Sequence, residues 1–100
     1  MNSNVLEIRS FRLRQGADER ALLRAAGETM RLFKNQHGFM ARSIARGENG
    51  SWTEIVHWLD QASANAAVER LLKAEVARAY ADLIDPPTLQ AGYYPLAYFG

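Results

Sequence analysis

Read for the alternation of apolar and polar positions, the chain divides into short segments of two periods. Val5 to Arg14 alternates, with Leu6 and Ile8 on one parity and Phe11 and Leu13 on the other. Its β-branched and aromatic content predicts a strand; the change of parity near Ser10 implies a bulge or a strand buried on both faces. From Asp18 to about Asn35 the period turns helical, Leu22, Ala26, Met30 and Phe33 recurring every three or four residues. Asp18 stands where an N-cap belongs, and Gly38 where a helix would hand over to the next strand. Phe39 to Leu59 then alternates twice around Asn49-Gly50, the strongest short-range signal for a β-hairpin, since a type I′ turn needs positive φ at both central residues.

Facing within that hairpin follows from the two-residue side-chain period. A two-residue loop (Asn49-Gly50) and a four-residue loop (Gly47 to Gly50) both place Phe39, Ala41, Ser43 and Ala45 with Trp52, Glu54, Val56 and Trp58. The opposite face then carries Met40, Arg42, Ile44 and Arg46 with Thr53, Ile55, His57 and Leu59. Asp60 or Ser63 caps the next helix, rich in Ala and Leu, with a break near Lys73-Ala74 left open by the pattern. Asp85-Pro86-Pro87 ends it, because proline disfavours the helical conformation of the residue before it. Leu89 to Phe99 reads as a last strand, which Gly92 and Pro95 assign to a sheet edge or a bulge.

The order β-α-β-β-α-β predicts an α+β, ferredoxin-like domain. Right-handed crossovers put both helices on one face of a four-stranded antiparallel sheet, with the first and third strands central. Both hairpin faces are half-apolar, so the helix-free face needs a second cover, and a homodimer pairing sheet to sheet would supply it.

Composition narrows the function. One hundred residues make one domain, 1–100. With 48% hydrophobic and 23% charged residues and a net charge of +1, the chain is ordinary for a globular protein. Ten of its twelve basic residues are Arg, but acids interleave them, so there is no one-sided field for nucleic acid. The absence of cysteine removes disulfides and thiolate chemistry. The N-terminal segment is too polar for a leader and no apolar run has membrane-spanning length, so the expectation is a cytoplasmic protein without membrane partners.

The hairpin leading into EIVHWLDQASANAA and the closing LIDPPTLQAGYY resemble the dimeric α/β-barrel superfamily, and within it the antibiotic-biosynthesis-monooxygenase-like domains. The resemblance covers nearly the whole chain and is most specific at Trp58, the tryptophan ending the third strand before an Ala-rich helix. It implies a homodimer, with a small-molecule cavity in each subunit between sheet and helices. Some members are cofactor-independent oxygenases of polycyclic phenols; others degrade haem. The haem-degrading branch resembles this chain least. Its axial histidine position falls on Ala81, Ser63 to Ile84 holds no His, and Arg9 stands where an Asn is expected.

The leading expectation is therefore a cofactor-free monooxygenase-like protein acting on a small aromatic or polyketide-like molecule. Trp58 would orient the substrate, as the resemblance implies. Glu54 or a tyrosine would take its proton, and Arg9 would stabilise the anion. Trp52, Tyr80 and Ser43 are candidate substrate contacts. The plainer readings are a core Trp58 and a Glu54 ion-paired to an arginine such as Arg9. His57 looks away from Glu54 and Trp58, and neither His has metal-ligand spacing, so neither a metal nor a cofactor is expected. The alternative function is a non-catalytic, ligand-binding or structural homodimer.

Overall fold

The structure, a computed structural model, describes residues 4–99; residues 1–3, part of the segment read above as too polar for a leader, and residue 100 lie outside the described residues. Strand β1 (Val5–Arg12) leads through helix α1 (Glu19–Lys34) into β2 (Phe39–Arg46) and β3 (Ser51–Trp58). Helices α2 (Gln61–Leu71) and α3 (Glu75–Ala81) precede the last strand, β4 (Gln90–Pro95). All neighbouring strands are antiparallel, in the order β2-β3-β1-β4, so β1 and β3 are central and β4 is an edge. This is the ferredoxin-like arrangement. Among the described residues no helix is long and apolar enough to cross a membrane.

The helix ends follow local chemistry. The Asp18 carboxylate accepts the Ala21 amide (2.9 Å) and the Asp60 carboxylate accepts the Ser63 amide (2.8 Å), each satisfying a donor that the first turn leaves open. Helix α1 stops at Lys34 with Asn35 as C-cap, and Gly38 takes its positive φ of 82° three residues later, at the entry to β2. The Ala-Leu helix does break, between Leu71 and Glu75. That break turns Leu72 out of the apolar stripe and leaves it 67% exposed.

Strand β1 keeps an unbroken register with β3 from Val5↔Trp58 to Arg12↔Ser51. There is no bulge at Ser10. Val5, Glu7, Arg9 and Phe11 face the helices, while Leu6 and Ile8 lie half-buried on the other side.

The hairpin corrects one expectation. Its loop has three residues, Glu48 to Gly50, with Asn49 (φ 57°) and Gly50 (φ 76°) both left-handed and Gly47 N–H bonded to the Ser51 carbonyl at 2.8 Å. An odd loop pairs like parities, so Arg46↔Trp52, Ile44↔Glu54 and Arg42↔Val56 share the helix-facing side. Ala41, Ser43 and Ala45 face the other way. A β-bulge between Phe39 and Ala41 then restores Phe39 opposite Trp58. The predicted facing was right for all of β3 and for Phe39, and was reversed from Ala41 to Arg46.

Between sheet and helices the interior forms two apolar clusters. One holds Phe11, Leu22, Ala25, Trp52, Tyr80 and Ile84. The other holds Phe33, Val56, Trp58, Ala64 and Ala67. A belt of charged strand residues runs between them.

Candidate functional site

The belt follows from the registers just described. Arg9 and Glu54 are directly opposed on β1 and β3, Glu7 lies one inward position along β1, and Arg42 reaches Glu54 from β2. The Arg42 Nε donates to Glu54 Oε2 at 2.7 Å, and its Nη1 donates to the Ala26 carbonyl (2.9 Å) and to Thr29 Oγ1 (2.8 Å). Its guanidinium lies 4.2 Å over the Phe33 ring and 5.1 Å from the Tyr80 ring centre. The Arg42 side chain is only 3% exposed and that of Glu54 is fully buried. A buried cation of this kind survives because ion pair, hydrogen bonds and ring faces together replace its water.

Arg9 Nη2 donates to Glu7 Oε2 at 2.5 Å, and its Nη1 stands 3.7 Å from Glu54 Oε1. Glu7 Oε1 in turn accepts the Trp58 indole N–H at 3.0 Å. Burial works against the Arg9 charge, but Glu7 and Glu54 outweigh it and the guanidinium is held above its ordinary pKa. Two acids and two arginines therefore make a neutral quartet.

Next to this quartet lies a cavity of about 390 Å³. Thr29 and Phe33 of α1, Leu71 at the end of α2, Tyr80 of α3, and Arg9 and Ala91 of the sheet contribute to its walls. It is mostly apolar, as small-molecule sites are, and its size suits such a ligand. Tyr80 Oη, Glu54 Oε1 and Arg42 Nη2 are buried without a well-aligned hydrogen bond, although Arg9 stands 3.7 Å from Glu54 Oε1 and the Arg42 guanidinium lies beside the Tyr80 hydroxyl; of the three side chains Tyr80 lines the cavity. Burial, and secondarily the Glu54 charge, push the Tyr80 phenol well above its usual pKa, so it remains a hydrogen-bond donor.

Of the six residues singled out in the sequence, Arg9 and Tyr80 line the cavity. Glu54 sits behind Arg9. Trp58 is 0% exposed and does not line the cavity; it packs against Phe33 (centroids 6.3 Å), itself a cavity wall, and Phe39 (5.8 Å), and reaches the charged quartet through Glu7. Trp52 is buried in the other cluster, with Arg46 5.8 Å from its ring centre. Ser43 pairs with Ile55 on the helix-free face, so it cannot touch a ligand in this cavity; the odd hairpin loop is the reason. Arg42 and Thr29 were not foreseen. The signal for Arg42 was present: Glu7 and Glu54 both at inward strand positions require two buried cations, and Arg9 is one. Among the described residues no three His, Asp or Glu side chains gather as a metal site.

Tyr80 carries a pH prediction. Its proton is held more tightly in the folded chain, so its contribution to stability is complete below the unfolded tyrosine pKa of about 10. Above that pH the unfolded chain ionises first and stability is lost. Unfolding free energies measured from pH 8 to 11 should fall at the alkaline end in the native protein and fall less in Tyr80→Phe. Identical alkaline limbs would remove Tyr80 as the cause.

The same fold recurs in solved structures of other proteins. The chain is similar over 97% of its length to SnoaB, a cofactor-independent oxygenase from Streptomyces nogalater, with a TM-score of 0.80, 18% identity and 96% of that chain covered. A proposed antibiotic biosynthesis monooxygenase from Bordetella bronchiseptica matches with TM-score 0.79 and 14% identity over 96% of this chain and 99% of that one. A nipsnap family protein of unknown function from Agrobacterium tumefaciens matches with TM-score 0.69 and 19% identity, over 97% and 91% of the two chains. No protein-family model and no curated protein matches the sequence.

Proposed function

We propose that the protein is a cofactor-independent monooxygenase of a small, flat, enolisable aromatic molecule, working as a homodimer. The observation that carries this reading is an apolar cavity walled by Tyr80 and Arg9, with the under-bonded buried atoms Tyr80 Oη, Glu54 Oε1 and Arg42 Nη2 at or behind that wall. Buried polar atoms are ordinarily satisfied, and a cluster of exceptions marks a place for a ligand's polar group. The fold shared with SnoaB supports the choice of chemistry.

In this reading Glu54 takes a proton from the substrate, with the Tyr80 hydroxyl between them, and Arg9 holds the resulting oxyanion. The substrate anion reduces dioxygen and combines with it to a peroxide. Return of the proton and loss of water leave a ketone, so that R₂CH₂ and O₂ give R₂C=O and H₂O. Trp58 acts through Glu7, which fixes the Arg9 guanidinium. The dimer covers the helix-free sheet face, where Leu6, Ile8, Ile55 and the exposed Met40 have no helix over them.

Oxygen uptake with a dihydroxyanthrone, a polycyclic phenol with an acidic CH₂ group, tests the chemistry. Glu54→Gln should lower turnover about a hundredfold, the usual size of a general-base contribution. Tyr80→Phe should lower it while the far-ultraviolet circular dichroism stays native. Unchanged turnover in both variants sinks the mechanism. The pairing of Glu54 Oε2 with Arg42, which holds the carboxylate in place as a structural anion, favours a second reading, in which the cavity binds a ligand without transforming it; saturable binding with no oxygen uptake would decide for it.

A further inference from the structure

The cavity has two polar ends of different character. At the inner end Arg9 forms part of the wall, and behind it the charges cancel, since Arg9 and Arg42 face Glu7 and Glu54. At the outer end the walls are the exposed Leu72, Ala81, Pro86, Leu89 and Ala91, and one further charge, Arg78 of α3. Arg78 is exposed, yet it is tethered. Its Nη1 donates to the carbonyl of Leu72 at 3.3 Å, which lays the guanidinium across the break between α2 and α3. Glu75 and Asp82, roughly one helical turn to either side, make no ion pair with it, and neither does any other acid among the described residues. One long hydrogen bond to a neutral carbonyl uses one of five guanidinium donors and none of the charge.

Among the described residues that line the cavity, Arg78 is thus the one charge without an ion-pair partner. Because the inner quartet is neutral, the field inside the apolar walls is set at the mouth, where low-dielectric walls strengthen it. A planar guanidinium there matches a carboxylate, which it can hold through two parallel hydrogen bonds.

We propose that Arg78 is a specificity-determining residue: the cavity takes a flat apolar ligand that bears a carboxylate at the end pointing out of the mouth. This rests on the cavity being a ligand site, as in the reading above, and adds the charge of the ligand and the residue that reads it. The buried hydroxyl-binding end and the charged mouth together orient the ligand, one end in and one end out.

The test uses binding, not turnover. Anthracene carboxylate and its methyl ester are titrated into the protein and followed by anthracene fluorescence at low ionic strength. Neither has an acidic CH₂ group, so neither depends on the oxygenase chemistry. The native protein should prefer the carboxylate by about fivefold, the upper range for a partly exposed ion pair. That preference should shrink as salt is added. Arg78→Gln should abolish it by weakening the carboxylate alone, while Arg78→Lys should keep part of it. Arg70→Gln is the control, since Arg70 lies outside this cavity in a shallow surface hollow with His37 and Asp60. Equal binding of the two probes, binding of neither, or a preference that survives Arg78→Gln overturns the proposal. A preference lost in Arg78→Gln, together with no oxygen uptake from the anthrone, would keep the anion site and remove only the chemistry.

Discussion

Replacing Arg42 by alanine should cost about 3–5 kcal/mol of folding free energy, the penalty for leaving a buried charge without its partner. The Glu54 carboxylate has no exposure to water and its Oε2 depends on the Arg42 Nε at 2.7 Å. Removing the guanidinium also frees the Ala26 carbonyl and Thr29 Oγ1 from their Nη1 donor, and empties the space between the Phe33 and Tyr80 rings. For a domain of this size such a loss is a large fraction of the whole stability. Urea unfolding at one fixed protein concentration is the measurement, because self-association would otherwise move the midpoint. The sign of a second variant separates the pair from the packing. Arg42→Met with Glu54→Leu removes both charges and keeps the volume, and should recover most of the loss. If Arg42→Ala alone costs less than about 1 kcal/mol, the range of an exposed pair, the guanidinium is hydrated and the belt is not a closed network.

Arg42 also shows where reading the sequence stops. The strands, the helices, their caps and the edge position of β4 were legible because each rests on a local period or a single capping residue. The facing of β2 was not. Gly47-Glu48-Asn49-Gly50 accommodates loops of two, three or four residues, and only the odd one puts Arg42, rather than Ser43, under the helices. One residue of loop length therefore exchanged a serine for an arginine at the heart of the site. The bulge near Met40 then reversed the parity again, so Phe39 kept its predicted place beside Trp58 for a reason that no pattern in β2 displays. Tyr80 was legible as a stripe residue on its helix. The burial of its hydroxyl without a well-aligned hydrogen bond is a three-dimensional fact, and so is the isolation of Arg78 from the acids near it in sequence.

Trp58 draws these lines together, and its replacement should have the second large effect. Trp58→Ala removes the largest fully buried side chain, whose indole packs against Phe33 and Phe39 within the cluster that holds Val56, Ala64 and Ala67. Loss of a buried tryptophan leaves a cavity that the surrounding strands and helices cannot close, and costs about 3–5 kcal/mol. Trp58→Phe keeps much of the apolar volume but deletes the N–H that Glu7 Oε1 accepts, so about 1–3 kcal/mol remains to be lost from an unsatisfied buried carboxylate oxygen. The same deletion loosens Glu7, whose other oxygen holds Arg9 at the cavity wall. Urea unfolding of the two variants should therefore rank Ala well below Phe and Phe below native. If Trp58→Ala is within about 1 kcal/mol of native, the ring stands in the cavity, where a ligand replaces its contacts, and does not belong to the core. A tryptophan that orients substrate directly would lose turnover in Trp58→Phe with stability unchanged. One that works through Glu7 loses both together, because the hydrogen bond that stabilises the fold is the one that aims Arg9.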